Sequence, residues 1–158
     1  MEARYFIYKD VNRLKSCIVL TVTIFFVVLF SYTGVSKLLD FEKFQSQIAS
    51  TTSLGSYGPL LAYALIFSEL LTALLLSVHR THLIGFYTCL GLMGIFTGYI
   101  YTILDHSQIV PCTCGGILQN MNWWTHLYFN IGCIIALVIA IIWKKKENNY
   151  LKKYLTKK

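Results

Sequence analysis

Four long stretches of this chain carry no formal charge. No Asp, Glu, Lys or Arg lies between Lys15 and Lys37, between Lys43 and Glu69, between Arg80 and Asp105, or between Asp105 and Lys144. A helix crossing a hydrocarbon core about 30 Å thick needs about 20 apolar residues. The pattern predicts membrane-spanning helices at residues 16–36, 59–79, 83–104 and 123–143. The expected fold is all-α: a polytopic membrane protein built as a four-transmembrane-helix bundle. Composition agrees, with 56% hydrophobic and only 13% charged residues, where soluble domains carry roughly 25%. The basic N-terminus followed by an apolar run resembles a signal peptide. The run is longer than an h-region of about 7–15 residues and no small-x-small cleavage site follows it, so the first span is expected to be retained.

Orientation follows from the basic residues in the short connections. Residues 1–15 carry Arg4, Lys9, Arg13 and Lys15, the short linker near 80 carries Arg80 flanked by His79 and His82, and residues 144–158 carry seven lysines. Twelve of the 14 Lys and Arg residues thus fall on one side, and only Lys37 and Lys43 on the other. The chain divides into a basic N-terminus (1–15), a membrane domain (16–143) and a basic tail (144–158). Both termini are expected to be cytoplasmic in a bacterial inner membrane, with the 105–122 loop periplasmic. The net charge of +7 is explained by this topology, and no nucleic acid needs to be invoked. Tyr150, Leu151, Tyr154 and Leu155 form one helical stripe among lysines, which suits a helix lying on anionic headgroups. A frayed, solvated tail is the other reading.

Between the first two spans, Phe41, Phe44 and Ile48 share a helical face, so 38–50 is expected to form an amphipathic surface segment. Pro59 suits the first turn of the second span, where its missing N–H costs nothing. Gly91, Gly94 and Gly98 fall on one side of the third span, where they would let another helix approach closely. Trp123, Trp124 and Tyr128 open the fourth span, at the depth of an interfacial aromatic belt.

Two features can carry chemistry. The first is "VPCTCGGIL", which holds Cys112 and Cys114 one residue apart. On the oxidising side of a bacterial membrane such thiols tend to form disulfides. A Cys-x-Cys bridge closes a ring of about eleven atoms, which is strained and easily reduced, and so short a loop gains little stability. Gly115 and Gly116 leave the backbone bare for a partner's cysteine. An exchanging dithiol, an inert disulfide and a metal site completed by His106 or His126 all remain open. Cys17, Cys89 and Cys133 lie in or at the ends of spans, where cysteine behaves as a small apolar residue.

The second feature is Glu69, about ten residues into the second span. An acid at that depth is costly and marks an interior-facing functional site by default. It is expected to be neutral much of the time, and the plain structural alternative is a hydrogen bond to a Tyr, Thr or Ser of a neighbouring helix.

Three elements together resemble the MauE/DoxX-like membrane family over residues 17–143: "GVSKLLDFEKF" after the first span, the glutamate of "SELLTALLL", and Cys-x-Cys-Gly before the last span. The resemblance implies a four-helix membrane protein. It also implies, for the MauE branch, a part in forming disulfides during maturation of methylamine dehydrogenase. That branch usually reads Cys-Gly-Cys-Phe-Gly, where this chain has Cys112-Thr113-Cys114-Gly115-Gly116, and Ala73 stands where Gly is common. These departures mark a relative and leave the substrate open. The expected function is a thiol–disulfide oxidoreductase whose Cys112 and Cys114 exchange electrons with a thioredoxin-like periplasmic protein, or with a quinone between the helices, while Glu69 handles protons. The alternatives are a non-catalytic accessory subunit of a larger membrane complex and an outward-facing metal relay.

Overall fold

The computed structural model describes residues 2–51, 57–106 and 122–155. Among these the chain is helical throughout: α1 (Glu2–Leu39), α2 (Phe41–Thr51), α3 (Gly58–Ser77), α4 (His82–His106) and α5 (Trp123–Leu155). Four of these hold segments long and apolar enough to cross a membrane: Arg13–Leu39, Gly58–Ser77, His82–Thr102 and Trp124–Lys146. They coincide with the spans expected from the uncharged stretches to within a few residues. α1 and α5 continue well past their spans, and the tail stripe around Tyr150 prolongs the helix of the last span instead of forming a separate one.

Backbone polarity inside the bilayer must be satisfied locally, and helices do this segment by segment. The hydroxyls within the spans follow the same rule. Thr21 donates to the Cys17 carbonyl at 3.0 Å, Thr72 to Ser68 at 2.7 Å, Ser77 to Ala73 at 2.8 Å and Thr97 to Met93 at 2.6 Å. Each of these four hydroxyls is closed on its own helix, leaving apolar surface outside. Only 28–39% of each spanning window is buried in the bundle, and the outward residues include Leu20, Ile24, Phe67, Leu74, Ile95 and Ile142. Only lipid solvates such an exterior well.

The helices are arranged in the ring α1–α3–α4–α5, with α1 on α3 and α4 on α5 making the broadest contacts and α1 against α5 a thin one. The buried positions of α3 are Gly58, Ala62, Ile66, Glu69, Thr72, Ala73 and Leu76, a stripe at the three- and four-residue spacing of one helix face. α3 opens with Pro59 in its first turn, as expected. A tight turn joins it to α4, held by Val78 N–H to the Leu74 carbonyl at 3.2 Å and by the Thr81 hydroxyl to the Leu75 carbonyl at 3.0 Å. The apolar core is centred on Phe26, Phe30, Leu76, Phe86, Cys89 and Leu137.

Close approach of α3 and α4 comes from Gly85, where a Cβ would stand 2.8 Å from the Leu76 backbone nitrogen. The glycines singled out in the sequence behave differently. A Cβ at Gly91, Gly94 or Gly98 would meet nothing within 4 Å, so none of the described helices packs on that face. α2 forms as expected, but it leans on α3: Phe41 and Tyr63 stack with ring centroids 4.4 Å apart, and a Cβ on Gly58 would touch Ala49 at 3.2 Å.

Candidate functional site

Lys37 stands in the last turn of α1, where the partial negative charge of the helix C-terminus favours a cation. Its side chain does not reach out of the bundle. The ammonium donates a hydrogen bond to Glu69 Oε1 of α3, with Lys37 8% exposed and Glu69 fully buried. Two rings close over the same ammonium, Phe96 of α4 with its centroid 5.3 Å from Nζ and Phe44 of α2 at 5.6 Å. Both lie inside the range at which a cation is attracted to an aromatic face. Four helices therefore contribute to one charged cluster.

Its depth follows from α3. Glu69 lies eleven residues from Gly58 and eight from Ser77, about 16 Å and 12 Å along the axis, so the pair sits near the middle of that span. The α1 backbone comes close enough because Gly34, one turn before Lys37, lacks a side chain. A Cβ there would stand 2.9 Å from Leu70 Cδ2 and 3.7 Å from the Glu69 Cβ. Thr33 lies within electrostatic reach of the carboxylate, although its hydroxyl is directed at the Phe30 carbonyl at 3.4 Å. Glu69 Oε2 has no hydrogen-bond partner among the described residues.

The sequence points to a hydroxyl partner for Glu69, and the hydroxyl of Thr33 does lie beside its carboxylate; the partner it does not anticipate is the Lys37 ammonium. Lys37, read from the sequence only as a charge beyond the first span, stands in the last turn of α1 with its side chain turned into the bundle.

The remaining site residues are placed as follows. Cys112 and Cys114 lie outside the described residues, in the connection between α4 and α5. His106 ends α4. His126 is buried in the first turn of α5, and its Nδ1 has no hydrogen-bond partner among the described residues. Asn130, buried as well, follows one turn later. Among the described residues no three His, Cys, Asp or Glu side chains gather to hold a metal ion. Cys89 and Cys133 are free thiols within the apolar core, and Cys17 is free and exposed.

A cleft of about 390 Å³ opens between α1 and α5, walled by residues that include Phe25, Phe26, Phe129 and Cys133. Its one hydroxyl, Thr21, is already committed to the Cys17 carbonyl. A quinone ring needs donors for its carbonyl oxygens, so this cleft does not fit a quinone head.

The fold and cluster together define a polytopic, all-helical membrane protein with an ion pair enclosed in its bundle. The chain belongs to the family described as methylamine utilisation protein MauE, whose model matches residues 15–143. Comparison with curated proteins and with solved structures gives no match.

Proposed function

We propose that this protein is a thiol–disulfide exchange protein of the bacterial inner membrane, with both termini cytoplasmic and Cys112 and Cys114 facing the periplasm. The observation that carries this reading is a MauE-family membrane bundle bearing two cysteines one residue apart. In the oxidising direction, a thiolate of a thioredoxin-like partner attacks one sulfur of the Cys112–Cys114 disulfide. The other sulfur leaves as a thiolate and a mixed disulfide forms. The partner's second thiolate then displaces this protein's sulfur. The partner ends as a disulfide, Cys112 and Cys114 end as thiols, and two electrons and two protons have moved between them. The reverse sequence reduces the partner.

Glu69 and Lys37 serve this reading as a buried acid–base couple. Glu69 Oε2, without a partner among the described residues, is the atom that would accept a proton. The second reading, an accessory subunit of a larger membrane complex, is favoured by how tightly the ion pair is enclosed, since a pair that only locks helices together has the same geometry.

Trapping separates the two. Cys112→Ser and Cys114→Ser variants expressed in the native host should accumulate a mixed disulfide through the remaining cysteine, identifiable by mass spectrometry. An accessory subunit would show no such adduct, and its double Ser variant would support normal function.

A further inference from the structure

The contiguous apolar core lies to one side of the Lys37–Glu69 pair. Its members on α1, among them Phe26 and Phe30, precede Lys37. Those on α3, Ala73 and Leu76, follow Glu69, and those on α4 run from Phe86 to Met93 and precede Phe96. Four spans bring both termini to one side of the membrane, and all of these positions lie toward that side. The hydroxyls there, Thr23 and Thr72, donate to backbone carbonyls at 2.8 and 2.7 Å, so they offer water no free donor.

The cover on the opposite side is built differently. Ala62, Ile66 and Ile100 are buried there but stand apart from the contiguous core, and the ring over the ammonium is Phe44 of α2. No described residue of α2 is buried, and Glu42, Lys43 and Ser46 are exposed. A segment with so few buried contacts opens at a lower free energy than the core beneath it. α2 is seated on α3 at two points, Phe41 on Tyr63 and Ala49 against Gly58, and Tyr63 is itself exposed. At its other end the chain turns at Asp40 between the two helices. Asp40 N–H donates to the Ser36 carbonyl at 3.2 Å and Phe44 N–H to the Asp40 carbonyl at 3.0 Å. Beyond this joint α1 and α2 meet only thinly. Phe44 lies one turn past the joint, so it travels with α2.

We propose that α2 is a lid hinged at Asp40, which lifts to open the Lys37–Glu69 pair to water on the side of the membrane opposite the termini, and on that side alone. Lifting takes Phe44 off the ammonium. Lys37, two residues from the end of α1, then reaches that surface along its long stem, while α3 keeps Glu69 in place. The lid stands on the placement of α2 and holds whether or not Cys112 and Cys114 exchange thiols. Joined to the exchange reading, it means that Glu69 gains and loses protons on the side expected for the cysteines.

The test uses the full chain and a water-soluble amine reagent, with the modification of each lysine counted by peptide mass spectrometry. In sealed vesicles treated on one face, exposed Lys43 reports one side, and exposed Lys145 and Lys146 report the other. Lys37 should be modified only when Lys43 is, and at least about tenfold more slowly. In detergent, Cys89, fully buried in the core, reports global opening through a thiol reagent. Phe41→Ala loosens the seat on Tyr63 without touching the pair. It should speed modification of Lys37 by about threefold to tenfold, the worth of one aromatic pair, and leave Cys89 unchanged. Phe44→Ala should speed it at least as much. Modification of Lys37 together with Lys145 overturns the proposal, and so does a Lys37 that neither variant accelerates. Acceleration of Lys37 and Cys89 in step overturns it too, because α2 would then be part of the cooperative bundle. If Phe44→Ala fails to fold, Phe41→Ala decides alone. The double variant Cys112→Ser, Cys114→Ser should give wild-type Lys37 rates, so the lid and the exchange reading fail separately.

Discussion

Gly34 of α1 and Leu70 of α3 touch so closely that a Cβ on Gly34 would stand 2.9 Å from the Leu70 Cδ2. Lys37 reaches Glu69 because of this approach, since both pairs belong to the same turn of the α1–α3 contact. Gly34→Ala should cost little, because a Leu70 methyl can rotate away. Gly34→Leu should lower stability by about 1–3 kcal/mol through overpacking and separate the ion pair. Thermal melting in detergent measures both, and equal melting temperatures for Gly34→Leu and wild type would remove Gly34 from this role.

Glu69→Gln should leave a buried ammonium without its counter-charge. Removing one partner of a buried pair costs about 3–5 kcal/mol, whereas replacing both by apolar residues is often neutral or stabilising. The double variant Lys37→Met, Glu69→Met should therefore melt well above Glu69→Gln and near wild type. A double-mutant cycle with each single variant gives the coupling energy, and a coupling near zero would mean the two side chains do not pair in the folded protein. If the double variant folds but no longer exchanges thiols, the pair acts in the chemistry and not only in the fold.

Gly85 and Gly91 lie on the same helix and should respond in opposite ways. A Cβ at Gly85 meets α3 backbone at 2.8 Å and 2.9 Å, and backbone cannot move aside, so Gly85→Ala should destabilise by about 1–3 kcal/mol. Gly91→Ala meets nothing and removes a flexible residue from a helix, which should stabilise by about 0.5–1 kcal/mol. Loss of stability in Gly91→Ala would show that another chain packs on that face.

Topology is tested at the last residue. Only Lys37 and Lys43, of the 14 basic residues, are expected toward the side opposite the termini. A reporter fused after Lys158 should be active only in its cytoplasmic form. Periplasmic activity there would place Cys112 and Cys114 in the reducing compartment and end the exchange reading.

The cysteine pair itself should switch. A strained, exposed disulfide has a more oxidising potential than structural ones, which lie below about −300 mV. Mild thiols applied to intact cells should reduce Cys112–Cys114, and their removal should restore it. Mass-tagged alkylation counts the free thiols in each state. A pair that stays oxidised until denaturation is an inert staple, and thiols protected until a chelator is added form a metal site.

The spans were legible because four uncharged stretches have only one inexpensive solution in water and lipid. Pro59 marked the start of α3 for the local reason that proline fits a first turn. Lys37 bounds the first uncharged stretch, and α1 ends only two residues beyond it; that its side chain turns inward onto Glu69 is set by packing, which charge counting along the chain does not carry. A signal for it did exist. Glu69 within a span needs a counter-charge, and Lys37 closes the preceding span. A small-residue stripe shows where a helix can be approached, while only the packing shows whether it is. Gly85 carries the contact, and Gly91, Gly94 and Gly98 do not. Phe96 and Phe44 could not have been assigned to the lysine, since nothing in a phenylalanine's neighbourhood in sequence says what lies across its ring.

The 32 residues that separate Lys37 from Glu69 also order the protein's biogenesis. Synthesis delivers α1 to the bilayer before the carboxylate that will neutralise its lysine exists. Two residues from the end of α1, an unpaired Lys37 can send its ammonium to the headgroup level along its long stem. A chain truncated before Glu69 should therefore leave Lys37 open to an aqueous amine label, and the full chain, with α3 docked along Gly34, should protect it.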